Sequence, residues 1–256
     1  MVRPIHYQRS GEGPPLILLH ATLSSSRQLR TLAAHLATSF SVVSVDRRGS
    51  GKSATDEPAR PIHIATHIDD LIAIVAAERL PPAVVVGHSY GGCIAVELAA
   101  RRPDLVSAVF AWEPPYFPLA PREAGERMAQ VVRRMLAANE RGDLPGAAIT
   151  FMEGVSGTEA VAALSPAARA RVERAGQGAV ADATLLGMDP DGLAGISCPT
   201  RIATGGASDP LYADIASELA ARIPAASHQR FEGLEHMAPI IAPDAIAAAV
   251  EDFTHR

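Results

Sequence analysis

Ser89 lies in Gly87-His88-Ser89-Tyr90-Gly91-Gly92, between an apolar β-branched run, Ala83 to Val86, and a helical pattern, Cys93 to Ala100. Strand, G-x-S-x-G and helix make a nucleophile elbow, which carries the serine on a sharp, strained turn. Gly87 and Gly91 leave room where the chain reverses, and the helix behind the serine turns backbone N–H groups toward a developing oxyanion. A serine hydroxyl attacks when a base takes its proton, and the base needs an orienting acid. Among nine histidines, His236 follows the last strand pattern, His228 to Phe231, on a loop at the end where an open α/β sheet gathers its functional groups. His20 also ends a strand, with neighbours that suit another job. His6 and His255 are terminal, His228 begins its strand, and His35, His63 and His67 fall on helical patterns. His88 is inside the elbow, its side chain expected to point away from the nucleophile. For the acid, Asp209 in Gly205-Gly206-Ala207-Ser208-Asp209-Pro210 is favoured by its loop after the penultimate strand and by the chain order Ser-Asp-His. Glu113, in Trp112-Glu113-Pro114-Pro115, is the rival, as an alternative acid, a pocket wall or a hinge residue.

The elements that must position these groups alternate. Leu16 to Leu19, Ser41 to Val45, Ala83 to Val86, Val106 to Ala111, Thr200 to Thr204 and His228 to Phe231 read as strands. Helices are expected over 26–38, 65–79, the stretch after the elbow and 243–254. The fold class is therefore α/β, a mostly parallel central sheet with helices on both faces. The rhythm breaks between 118 and 196, where no strand is expected and Met128, Val131, Val132, Met135 and Leu136 form a helical stripe. That stretch reads as a helical cap inserted into a core made of 1–117 and 197–256. Gly11-Glu12-Gly13 reads as a hairpin-like turn.

The chain has 256 residues, 48% hydrophobic and 20% charged, enough for a sizeable core and unlike a disordered chain. Its net charge of −5 disfavours a nucleic-acid binder. No apolar stretch reaches membrane-spanning length, and the start, Met1 to His6, lacks a signal-peptide pattern, so a cytoplasmic location is the default expectation. Cys93 and Cys198 form neither a disulfide framework nor a CxxC pair, and both read as buried thiols.

Five segments carry a resemblance: Leu18-Leu19-His20-Ala21-Thr22, Asp46-Arg47-Arg48-Gly49-Ser50-Gly51-Lys52-Ser53, the elbow, Gly205 to Pro210, and Glu235-His236. Together they resemble the α/β-hydrolase fold with a serine nucleophile and a helical cap. The resemblance covers nearly the whole chain outside the cap and is specific for fold more than for substrate. It implies an oxyanion hole from the N–H groups of Thr22 and Tyr90. The family usually has glycine where this chain has Ala21, and often glycine where it has Glu235.

Three other patterns fail on spacing. Gly51-Lys52-Ser53 ends like a P-loop, but Asp46 stands where its first glycine belongs, and the stretch better matches the family's D-x-R-G-x-G-x-S turn. His63 and His67 have ligand spacing without the glutamate of a zinc protease, so no metal is expected. Gly11 and Gly13 lack the third glycine of a dinucleotide fingerprint. The expected activity is hydrolysis of a small carboxylic ester by Ser89, His236 and Asp209 through an acyl-enzyme, without a cofactor. Trp112, Glu113, Tyr116, Phe117, Met128 and Met152 are expected to contact the substrate. Carbon–carbon or lactone hydrolysis by the same residues, and a small-molecule-binding signalling role on this fold, are the alternatives. The partner expected is a small-molecule substrate, the protein being a monomer or a homodimer.

Overall fold

The computed structural model describes residues 5–255. Met1 to Pro4, part of the stretch read for a signal peptide, lie outside the described residues. The strands are β1 (Tyr7–Ser10), β2 (Pro15–Leu19), β3 (Ser41–Val45), β4 (Ala83–His88), β5 (Val106–Trp112), β6 (Thr200–Gly205) and β7 (Ala226–Phe231). They form one sheet of order β1-β3-β2-β4-β5-β6-β7, in which β1 is antiparallel to β3 and every other pairing is parallel. The helices of the sheet are α1 (Arg30–Leu36), α2 (Ile64–Glu78) and α3 (Tyr90–Arg101). Between β5 and β6 lie α4 (Arg122–Glu140), α5 (Leu144–Ser156), α6 (Thr158–Ala162), α7 (Pro166–Glu173) and α8 (Gly176–Ala181). The chain closes with α9 (Pro210–Arg222), α10 (Ala238–Ile241) and α11 (Pro243–Thr254).

Alternation along the strands divides the core. Leu16 and Leu18 face α1 and α11 with Val84, Val86 and Phe110, while Ile17 and Leu19 face α2 and α3 with Val85 and Val109. A sheet buried on both faces explains the near-continuous apolar runs of β2, β3 and β4. The expected helix over 26–38 begins as a 3₁₀ turn, Ser26–Leu29, before α1. The short strand β1 escaped sequence reading because its outward residues are polar and largely exposed.

The turn at Gly11 to Gly13 is not a hairpin. β1 and β2 flank β3 on opposite sides, so the turn crosses the end of β3 rather than joining neighbours. Gly11 has φ +77°, and a Cβ there would meet the carbonyl oxygen of Phe40 at 2.3 Å, so the crossing requires glycine. Among the described residues no helix is long and apolar enough to cross a membrane.

Candidate active site

Ser89 joins β4 to α3 with φ +54° and ψ −123°, a backbone that a non-glycine residue adopts only under constraint. Its N–H donates to the carbonyl of Trp112 (2.8 Å), and its own carbonyl accepts from Gly92 (2.7 Å). The flanking glycines make the turn possible. A Cβ on Gly87 would lie 2.3 Å from the oxygen of Gly91, and one on Gly91 would lie 2.6 Å from the oxygen of Leu19.

His236 stands on the loop between β7 and α10 and is held on four sides. Its Nδ1 lies 2.8 Å from Glu113 Oε2, and its carbonyl accepts from the Trp112 indole N–H at 3.2 Å. The Tyr212 ring stacks on it at 4.7 Å and 16°, and the His88 ring packs at 4.9 Å. Burial, then the neighbouring His236, pushes the His88 pKa well below the ordinary imidazole value. Thus His88 stays neutral and serves as a wall behind His236. With Nδ1 engaged by Glu113, Nε2 is the ring nitrogen left open to another partner.

The carboxylate on His236 is Glu113 and not Asp209. Glu113 follows β5 directly, has φ +45° and is fully buried. Its N–H donates to Ala203, and Oε1 accepts from the Gly205 N–H at 2.7 Å, so β6 holds the carboxylate in place. Since β5 adjoins β4, a glutamate at its end stands beside the serine's strand. Asp209 is instead the N-cap of α9: its carboxylate accepts from Leu211 N–H at 2.9 Å, ahead of Pro210 at the first helical position. That side chain is exposed and satisfies a helix end rather than a histidine.

Ser89 and His236 open on one cavity of about 670 Å³, within the range of small-molecule sites. Phe117, Met128 and Met152 line it, as expected, together with Phe151 and Val172 from the helices between β5 and β6. Three of the expected substrate contacts do not reach it. Trp112 is buried beneath His236, Glu113 is buried behind it, and Tyr116 donates its hydroxyl to Glu97 Oε1 (2.6 Å) and to the Asp189 carbonyl (2.9 Å). An aromatic cluster at the strand-to-helix junction reads as a pocket mouth in sequence, but two of its three members are structural pins.

Thr22 follows β2 across the cavity floor, and Tyr90 opens α3. Neither backbone N–H has an intramolecular acceptor among the described residues. Behind them, the Asp46 carboxylate accepts from Ser26 and Lys52 N–H (2.8 and 2.9 Å) and organises the Asp46–Ser53 turn. His20 Nε2 accepts from Arg47 N–H at 3.0 Å. Burial and then the Arg47 charge hold the His20 pKa well below normal, so its ring is neutral with the proton on Nδ1, toward the Ala21 carbonyl.

Known proteins agree with this architecture. The chain is 36% identical over 140 residues to Lipase LipV of Mycobacterium tuberculosis, covering 54% of this chain and 50% of that one. It is 32% identical over 107 residues to a 2-(acetamidomethylene)succinate hydrolase of Mesorhizobium japonicum, covering 42% of this chain and 38% of that one. The matches therefore span half or less of those curated relatives. Over 98% of its length the chain superposes on 96% of an alpha/beta hydrolase from Sphaerobacter thermophilus, with a TM-score of 0.74 and 31% identity. Residues 16–249 match the model of the alpha/beta hydrolase family, and with the parallel sheet and the strand-serine-helix elbow this establishes that the chain belongs to it.

Proposed function

We propose that this protein is a serine hydrolase that cleaves a small carboxylic ester, with Ser89 as nucleophile, His236 as base and Glu113 as the orienting acid. The observation that carries the reading is the 2.8 Å contact between Glu113 Oε2 and His236 Nδ1, on a histidine that shares a cavity with the strained Ser89. Glu113 fixes the tautomer with Nδ1 protonated and stabilises the imidazolium formed when Nε2 takes the serine proton. Ser89 Oγ then adds to the acyl carbonyl, and the N–H groups of Thr22 and Tyr90 receive the oxyanion, each worth about 2.7–4 kcal/mol in a comparable site. His236 returns the proton to the leaving alkoxide, and water activated by the same nitrogen releases the acid. None of these steps calls on a metal or cofactor. In this reading residues 118–196 act as a cap over the core of 1–117 and 197–256. Acyl selection falls to Met128, Phe151 and Met152 on its inner side, together with Phe117 at the end of the core segment. The lipase and succinate-derivative hydrolase among the similar proteins are consistent with acyl chemistry.

The test is turnover of p-nitrophenyl esters of increasing acyl length, with Ser89→Ala as control. The expected result is a rate that peaks at short acyl chains and falls at least about a thousandfold in Ser89→Ala. Comparable rates in both proteins would refute the reading. A folded wild type without turnover would favour carbon–carbon bond cleavage or a binding role.

A further inference from the structure

One buried charge cluster lies beside the site and takes no part in the steps above. Asp182 is fully buried in the segment between β5 and β6, just after α8. Arg47, just after β3, meets it with two parallel hydrogen bonds, Nη1 to Oδ1 at 2.6 Å and Nη2 to Oδ2 at 2.8 Å. The same guanidinium donates to the carbonyls of His20 (Nε, 3.0 Å) and Ala21 (Nη2, 3.1 Å), the two residues that lead into Thr22. The Thr22 hydroxyl donates to Asp182 Oδ2 at 2.7 Å. Arg47 also lies over the Tyr90 ring, 5.2 Å from its centroid. The cluster therefore grips the residues on both sides of the expected oxyanion hole, and its anion comes from the helical segment above the sheet.

We propose that Asp182 is a positioning residue for the oxyanion hole, acting through Thr22 directly and through Arg47 on the His20-Ala21 backbone and the Tyr90 ring. This rests on the serine-hydrolase reading. The His20 and Ala21 carbonyls and the Thr22 hydroxyl are all held by this cluster, so these bonds set the direction of the Thr22 N–H. The arrangement also divides the segment 118–196 by function. Its far end is fastened to the core: Ala181 accepts from Ile62 N–H at 2.9 Å, and the Gln177 side chain bonds the backbone of Thr55. Entry and exit of substrate then fall to α4, α5 and α7, whose residues line the cavity.

The experiment measures kcat and KM for a short p-nitrophenyl ester, and the affinity of an alkylboronic acid, in four proteins: wild type, Thr22→Val, Thr22→Ser and Asp182→Asn. Addition of Ser89 Oγ to boron, with its proton passing to His236, gives a tetrahedral boronate whose anionic oxygen occupies the hole. Thr22→Val keeps the backbone N–H and leaves the Arg47–Asp182 pair whole, so it tests the idea even if Asp182→Asn fails to fold. The proposal expects kcat to fall about tenfold to a hundredfold in Thr22→Val and Asp182→Asn, with KM held within about threefold and boronate affinity falling in parallel. Thr22→Ser, which restores the hydroxyl, should recover most of both. Retained kcat and boronate affinity in Thr22→Val, or a loss confined to KM, would overturn it. Absence of Ser89-dependent turnover in the wild type would instead refute the hydrolase reading, and this proposal with it.

Discussion

At the scale of single residues, the instructive case is the choice between two carboxylates. Both Glu113 and Asp209 follow a strand, and both lie between Ser89 and His236 in the chain, so chain order does not separate them. The local chemistry does. Asp209 is followed by Pro210 and a helix, the signature of an N-cap, and its oxygen is committed to Leu211 N–H. Glu113 leaves the strand next to the elbow, in a left-handed backbone that turns its side chain inward. Asp209→Ala should therefore cost about 1 kcal/mol of stability through the lost cap, read as a Tm lower by about 2–4 °C, while ester turnover stays within a few fold. A variant of unchanged Tm and collapsed turnover would reverse that assignment. Ser89 and His236 were legible because the elbow and a loop after the last strand constrain their types and positions. The pins were not: that Trp112 and Tyr116 point beneath and beside the site depends on partners more than seventy residues away, His236 and Asp189.

At the scale of elements, strands β2 to β7 and the long amphipathic helices α2, α4 and α11 were readable because apolar spacing locates a buried face. What periodicity does not encode is how closely elements approach. The elbow brings α3 against β2, and Gly91 is the point of contact: a Cβ there would fall 2.6 Å from the Leu19 carbonyl and 2.7 Å from that of His20. Gly125, in α4, has nothing within 4 Å of its added Cβ. Two alanine substitutions should thus have opposite signs. Gly91→Ala should remove soluble, folded protein or lower its Tm severely, because backbone on both sides must move. Gly125→Ala should raise Tm by about 2–4 °C, the helix-propensity gain of up to about 1 kcal/mol. Thermal denaturation of both decides it; a tolerated Gly91→Ala would mean that α3 is not wedged against β2 as described. The segment between β5 and β6 is fastened at its ends by side chains that sequence spacing does not connect. Tyr116 joins its start to Asp189 near its end, and Asp182 joins it to Arg47.

At the scale of the whole molecule, three histidines are buried neutral around the site. Burial, then Arg47, lowers His20 well below normal and His67 to about 4, and burial lowers His88 well below normal. In the unfolded chain each titrates near about 6.5. Above that value both states hold neutral rings and the fold has its full stability. As pH falls from about 6.5 toward 4 the unfolded chain takes up protons that the native state refuses, and stability is lost by up to about 1.4 kcal/mol per pH unit for each ring. Urea midpoints should hold level from pH 7.5 to about 6.5 and fall from there to pH 5, and a flat profile over the lower range would contradict the neutral assignment. The central claim, that Glu113 orients His236 for attack by Ser89, is tested most directly by single-turnover acylation with a p-nitrophenyl ester in Glu113→Gln and Asp209→Asn, both near-isosteric and the latter still able to cap α9. Acylation should be slower by about a thousandfold or more in Glu113→Gln and near the wild-type rate in Asp209→Asn. The reverse pattern would show that Asp209 is the acid and that the Glu113–His236 contact is structural.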